Sequence, residues 1–525
     1  MVAAVIDDAV EMEIIDENEE NSNPSSIVTS PNKMSVTSVK LSIIFGFAAA
    51  ALSVGLTLGI LWPNLFPSIL FRQLILSPAS ISFGFWKETP IPMYLEMYLF
   101  NWTNADEFNS HATTKPNFVE LGPYVFKEVD YKVNEVWHDN GTVTFQQKRV
   151  WHFEESMSKG SLSDKVTNLN AIATTIAYTI RHRSRFIRET VNTLIRTAGE
   201  TIITTKTAGE LLFDGYKDPV LEAGSVANYS GIPFDKFAWF YGRNNSETYD
   251  GIFNMFTGAT DIHKIGSIEK WKYSNRTKFA GYCGIVNGTN GDLWPPLPDN
   301  KTVSIFSSDL CTSLSLTMQN TTVHQGLVGT KYVSDKNMLD NGTNVPSRKC
   351  FCNEVECQPS GVLNISSCKF GAPAFISLPH FYLADESYRN SITGMNPNKE
   401  KHEFSMTFEP TTGIPIQIRA TVQISLLVQP DDAMSLFRNV PKTYVPMMWF
   451  AQRADLPSSY ASGIIFLLIL PTLGCVIFYG IAGIGVLLFF IGSVLFVRRR
   501  RGHNEEQKLI AKKVKTDVSP IVDEF

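Results

Sequence analysis

Cys350-Phe-Cys352-Asn-Glu-Val-Glu-Cys357, continued through Gly361-Val-Leu-Asn-Ile-Ser to Cys368, packs four of the chain's seven cysteines into nineteen residues. Cys283 and Cys311 lie upstream, and Cys475 sits inside an apolar run. Six cysteines between two apolar segments and among N-x-S/T sequons indicate a disulfide framework made in an oxidising lumen. The rival reading is zinc, which pairs a C-x2-4-C with a second such pair or with histidines. Cys350-x-Cys352 is too tight for that, and His324 is the one histidine between Cys311 and Cys368. No metal and no cofactor is expected.

Moving outward, sequons occur at Asn101, Asn140, Asn228, Asn244, Asn275, Asn287, Asn300, Asn320, Asn341 and Asn364, all between residues 63 and 462. Glycosylated sequons mark exposed loops of a secreted chain. Upstream of them, Leu41 to Trp62 runs 22 residues without a charge, enough to cross a hydrocarbon core of about 30 Å. The acidic stretch before it is unlike a signal-peptide n-region, so it reads as an uncleaved anchor. Gly55-x3-Gly59, extended back to Ala51, puts small residues on one face, where a second helix can approach. A second apolar run covers Gly463 to Val497, with its helix expected from Pro471 onward. Arg498 to Arg501 close it, and arginines beside a span mark the cytoplasmic side.

The expected plan is therefore an acidic, disordered cytoplasmic tail over 1–40 and a transmembrane helix over 41–62. A glycosylated lumenal or extracellular domain follows over 63–462, then a transmembrane segment over 463–497 and a basic cytoplasmic tail over 498–525. Residues 1–40 carry eight acids against Lys33 and Lys40, while 498–525 carry eight Lys or Arg against five acids. The net charge of −5 gives no support for nucleic-acid binding.

Within 63–462, Thr142-Val-Thr-Phe, Lys301-Thr-Val-Ser-Ile-Phe and Ile414 to Val428 alternate as strands of a large, mainly antiparallel system. Ser163 to Thr197 reads instead as one amphipathic helix. With Ile180 at zero, Ile176, Ile187 and Val191 fall within about 40°, while Arg181, Arg185 and Arg188 cluster at about 80–140°. Arg183, Arg196 and His182 add charge. Arg181, Arg185, Arg188 and Arg196 form a candidate landing surface for anionic ligands, lipids or lipoproteins, against the plainer reading of a solvated helix face. In the C-terminal tail, Glu505-x3-Leu509-Ile510 fits an acidic-dileucine sorting signal, read by clathrin adaptors on an endosomal or lysosomal itinerary.

Seven motifs, in this order, carry a family resemblance: Leu121-Gly-Pro-Tyr-Val, Gly215-Tyr-Lys-Asp-Pro219, Cys283-x3-Asn-Gly-Thr, Phe306-Ser-Ser-Asp-Leu-Cys311, Ser377-Leu-Pro-His-Phe-Tyr382, Gly394-Met-Asn-Pro-Asn398 and Glu409-Pro-Thr-Thr-Gly413. The chain resembles the class B scavenger receptors, a family that takes in fatty-acid translocases, lysosomal integral membrane proteins and sensory-neuron membrane proteins. The acidic N-terminal tail is longer than that family's usual few residues. The resemblance implies an α+β membrane protein: two transmembrane helices flanking a lumenal domain, with an antiparallel β-barrel-like core and a helical tip over about 163–197. It also implies an apolar tunnel toward the bilayer and the bridges Cys283–Cys350, Cys311–Cys368 and Cys352–Cys357. The family's membrane-proximal cytoplasmic cysteines have no counterpart here. A tip histidine used by the lysosomal member corresponds to Arg185, with His182 one turn away.

The function expected from all this is non-enzymatic: capture of lipids, fatty acids, sterols or lipoprotein particles at the tip and passage of apolar cargo through the tunnel. A lysosomal cargo-enzyme receptor or lipid exporter is the alternative. A two-span ectoenzyme would need phosphate-cradling or metal-binding motifs, and no G-x-S-x-G, H-E-x-x-H or Walker sequence is present. A two-span channel would line its pore with polar residues, and both spans lack ionisable ones.

Overall fold

The computed structural model describes residues 36–517 except 111–113, 227–234, 298–299 and 353–356. The acidic stretch 1–35, Asn228 and the last eight residues lie outside them. The chain forms two compact units, one of residues 1–62 with 473–525 and one of residues 63–472.

The first unit is a helix pair. Helix Val36–Leu74 runs well past Trp62, with Pro63 and Pro67 inside it, and helix Ser458–Asp517 continues through Pro471. Both helices therefore exceed the expected bounds: a proline removes one amide donor, and the turns on either side carry on. Each is apolar and long enough to cross a membrane. The small-residue face of the first span is used between the spans. A Cβ on Gly55 would lie 2.5 Å from the Ala482 nitrogen and 2.6 Å from the Phe478 oxygen. Gly485 meets Leu52 and Ala48 in the same way. Phe45 packs edge-on to Phe489 and Trp62 to Phe478, with centroids 5.3 and 5.4 Å apart.

The second unit is built on strands. β1 (Met93–Trp102), β2 (Phe118–His138) and β3 (Thr142–Phe153) form a meander of aromatic and β-branched residues. β4 (Lys165–Leu169) and β5 (Ile203–Thr207) pair as a separate ribbon. β6 (Ile252–Phe256), β7 (Ile268–Trp271), β8 (Thr302–Ser307), β9 (Thr312–His324) and β10 (Leu327–Val333) follow. Short β11 (Leu363–Asn364), β12 (Ala374–Ser377) and β13 (Ser405–Phe408) precede long β14 (Pro415–Val428) and β15 (Thr443–Asp455). The antiparallel order is β7-β6-β3-β2-β1-β15-β14-β13-β10-β9-β8, with β12 also on β14 and β11 on β12.

The two ends of this sheet nearly meet. Gly288 O accepts the Ile268 N–H at 2.8 Å on the β7 side, and Thr289 O accepts the Phe306 N–H at 2.7 Å on the β8 side. Gly288 has φ +87°, and any side chain there would collide with the Ser304 carbonyl. The Cys283-x3-Asn-Gly-Thr motif is thus the seam of a barrel-like sheet. Its cysteine is bonded to Cys350, Cys311 to Cys368 and Cys352 to Cys357, the pairs that the resemblance implies. Alternation along β1 separates two interiors: Leu95, Met97 and Leu99 join one apolar cluster, while Phe100 and Trp102 join the larger one.

Ser163 to Thr197 is not one helix. β4 occupies its start, helix Ala171–Ile180 follows, and after Arg181–Ser184 a second helix runs Arg185–Thr197. The break resets the helical phase, so angles counted across it from Ile180 do not hold.

Candidate docking surface

Helix Ala171–Ile180 begins where Asn170 accepts the amides of Ile172 and Ala173, and it buries most of its length. It ends as Arg181 turns back, its guanidinium 3.5 Å above the Tyr178 ring and donating to the Tyr178 carbonyl at 2.7 Å. Helix Arg185–Thr197 buries Ile195 and half-buries Ile187 and Val191. Arg188 faces the same body and pairs with Asp431 at 2.9 Å. Asn192 accepts both the amide and the hydroxyl of Ser435 at 2.8 Å. Two of the four arginines expected on a common ridge, Arg181 and Arg188, are therefore engaged by the protein itself.

The exposed face carries something else. Phe186 is 78% exposed and Leu194 is 44% exposed, with Thr190, Thr193 and Thr197 alongside. At 100° per residue, Phe186, Thr190, Thr193 and Thr197 share one face, and Glu189, Arg196 and Arg185 lie along one side of it. His182 and Arg183 are exposed in the link. Arg185 is held by Glu189 at 2.7 Å across one turn. The surface is thus an aromatic prow with a cationic border. Sequence periodicity missed it because Phe186 lies out of phase with the apolar positions of the preceding helix. The signal available was Ser184, a residue type that starts helices.

A second cluster joins three of the motifs. Glu120 Oε2, beside Leu121-Gly-Pro-Tyr-Val, accepts from His380 Nε2 at 2.6 Å and from Trp449 Nε1 at 2.7 Å. His380 Nδ1 accepts the Asn396 amide at 3.1 Å, and His402 Nδ1 accepts the Asn398 amide at 2.9 Å. The two imidazoles stack at 4.5 Å, and Tyr98 stacks on Trp449 at 3.9 Å. Two histidines and a carboxylate are metal-ligand types. Each Nδ1 lone pair already takes a backbone hydrogen, however, so the ring hydrogen sits on Nε2 and leaves no lone pair there for a metal. The cluster is a hydrogen-bonded node. Burial pushes the Glu120 carboxyl up, but the bonds from His380 and Trp449 outweigh it and hold it below its ordinary value. Burial, with His380 alongside, lowers His402 to about 3. His380 and Phe381 both take left-handed backbone, φ +53° and +55°, a strain the node and the Gln423 acceptor over-determine.

The other motifs are equally architectural. Asp309 pairs with Arg243 at 2.9 Å, and Arg243 also reaches Asp250 at 3.0 Å. Burial would raise the Asp309 carboxyl, but Arg243 brings it down to about 2. Glu409 accepts the amides of Thr411 and Thr412 to close a turn. Asp218 caps the helix at Val220 and Leu221. Elsewhere, Leu509 and Ile510 are 67% and 58% exposed on the last helix, with Glu505 one turn before them. Cys475 is the free cysteine among the described residues.

Comparison with known proteins agrees with this architecture. The chain is 37% identical over 422 residues to Protein peste of Drosophila melanogaster, covering 79% of this chain and 75% of that one. It is 31% identical to mouse Scavenger receptor class B member 1, with 86% and 88% covered, and 32% identical to human Lysosome membrane protein 2, with 74% and 80% covered. The profile of the CD36 family matches residues 44–496, from inside the first span to inside the second. With two apolar helices, a nearly closed antiparallel sheet and three disulfides, the chain is a two-pass membrane protein and belongs to the CD36 family.

Proposed function

We propose that the protein is a receptor for lipids or lipoprotein particles, with both termini cytoplasmic and the body of residues 63–472 facing a lumen or the cell exterior. The observation that carries this reading is the exposed Phe186 beside Arg183 and Arg185, with Arg196 about 15 Å farther along the same helix. An aromatic ring can enter the acyl region of a lipid surface while arginines meet anionic headgroups. Apolar cargo then passes through the body toward the bilayer. Each CH2 of a lipid costs about 0.8 kcal/mol to expose to water, so a shielded path removes the barrier without chemistry. The near-closed sheet supports the conduit. The names of the mouse and human relatives, a scavenger receptor and a lysosome membrane protein, fit this class.

A lysosomal itinerary, with lipid export or carriage of an enzyme, is favoured by one feature, the exposed Leu509 and Ile510 after Glu505. The test of docking is binding of phosphatidylserine vesicles to full-length protein. Replacing Arg183, Arg185 and Arg196 with Glu and Phe186 with Ser abolishes binding on this account, and salt weakens the wild type. Undiminished binding by a variant that still reaches its membrane overturns it. Of the four arginines expected to receive ligand, Arg181 and Arg188 make internal contacts, which leaves Arg185 and Arg196.

A further inference from the structure

The sequon asparagines differ in burial. Asn140, Asn275, Asn287, Asn300 and Asn320 are exposed. Asn244 is exposed too, but its amide nitrogen donates to the Trp151 carbonyl at 3.3 Å and its oxygen accepts the Trp151 amide at 2.9 Å, while half-buried Asn101 accepts the Thr167 amide at 2.8 Å. Asn341 is 1% exposed and Asn364 is 4% exposed. The Asn341 amide nitrogen donates to the Gln358 carbonyl, and its oxygen accepts the hydroxyl of Thr343, the sequon's own third residue, at 2.8 Å. Asp340 caps the same turn through the amides of Gly342, Asn344 and Val345. Asn364 lies in β11, paired with Phe375, and its side chain accepts the Ser366 amide at 2.9 Å.

We propose that N-linked sugar occupies Asn140, Asn275, Asn287, Asn300 and Asn320, which line one arc of the sheet, and is excluded from Asn341 and Asn364. The sugar is attached at Nδ2 and is hydrophilic and branched, so it requires an open path to water. At Asn341 and Asn364 that path is filled by packed protein, and a chain glycosylated there does not reach this fold. The five open sites lie on adjoining strands or their connections. Asn140 is in the β2–β3 turn, Asn275 follows β7, Asn287 precedes the seam, Asn300 precedes β8 and Asn320 is in β9. Asn140 also borders a cleft of about 470 Å³ with Tyr273, a ring 77% exposed. β13, β14 and β15 carry no sequon, and neither do residues 163–215, which hold the helix pair. Sugar at these five sites therefore shields one arc of the sheet, a deepening that rests on the lumenal placement of residues 63–472.

The experiment is peptide mass spectrometry of the wild-type full chain from animal cells, after enzymatic deglycosylation in heavy-oxygen water, which labels each formerly glycosylated asparagine. Label at Asn140, Asn275, Asn287, Asn300 and Asn320 with Asn341 and Asn364 unlabelled is expected. Label at Asn341 or Asn364, or its absence from most of the five, overturns the partition while the lumenal placement stands. Absence of label from every sequon overturns the lumenal placement, and the partition with it.

Discussion

Acidification should weaken the body through one residue, His402. Its ring is 2% exposed, stacked on His380, and takes a backbone amide on Nδ1. Burial holds its pKa at about 3 against an ordinary 6.5. The unfolded chain binds a proton near pH 6.5, whereas the folded chain does so only near 3. His402 therefore favours the fold fully above 6.5 and loses that contribution progressively as pH falls toward 3. Each unit is worth about 1.4 kcal/mol, so the loss between pH 7.5 and 5.0 is about 2 kcal/mol, a few degrees of melting temperature in a body this size. His402→Asn retains an acceptor for the Asn398 amide but has no proton to gain. Melting of detergent-solubilised protein at the two pH values, wild type beside variant, isolates the effect because every other group is common to both. Wild type should lose about 2 kcal/mol more than the variant. Equal losses would show that His402 contributes nothing to the pH dependence, and a smaller loss for the wild type would reverse the sign of its contribution.

Three further outcomes follow from the packing. Arg243→Ala leaves the carboxylates of Asp250 and Asp309 without their shared partner and should cost about 3–5 kcal/mol, read as a lowered melting temperature or as retention of the protein before export. Gly55→Leu drives a side chain into the Ala482 backbone and should destabilise the helix pair, whereas Gly480→Leu, with nothing within 4 Å of its Cβ position, should leave melting unchanged. Leu509→Ala with Ile510→Ala should move a lysosomal protein to the cell surface, scored by surface staining; unchanged distribution would remove the sorting role.

The sequence displayed the spans, the cysteine framework and the long strands because each is a local pattern: an uncharged run, a spacing, a period of two. Ile414 to Val428 became β14 nearly residue for residue. The helix break at Arg181–Ser184 holds neither proline nor glycine and was marked only by Ser184, and one missed link moved Arg188 from solvent to Asp431. The node was invisible for a different reason. Glu120 and His380 are 260 residues apart and meet only through the sheet. The motifs that marked the family so clearly proved to be its joints, as at the Gly288 seam and the Glu120–His380 contact. They report how the body is held together and leave the ligand to the surface.

Docking on a lipid surface is assigned to the two helices Ala171–Ile180 and Arg185–Thr197. His182, exposed between the two helices, is followed by Arg183 and Ser184, so His182→Asn completes a new sequon with a single substitution. A glycan there would stand over Phe186. The expected protein gains one glycan by gel mobility, reaches its membrane in normal amount and no longer binds phosphatidylserine vesicles. A variant that carries the added glycan and binds them as well as wild type would contradict that assignment.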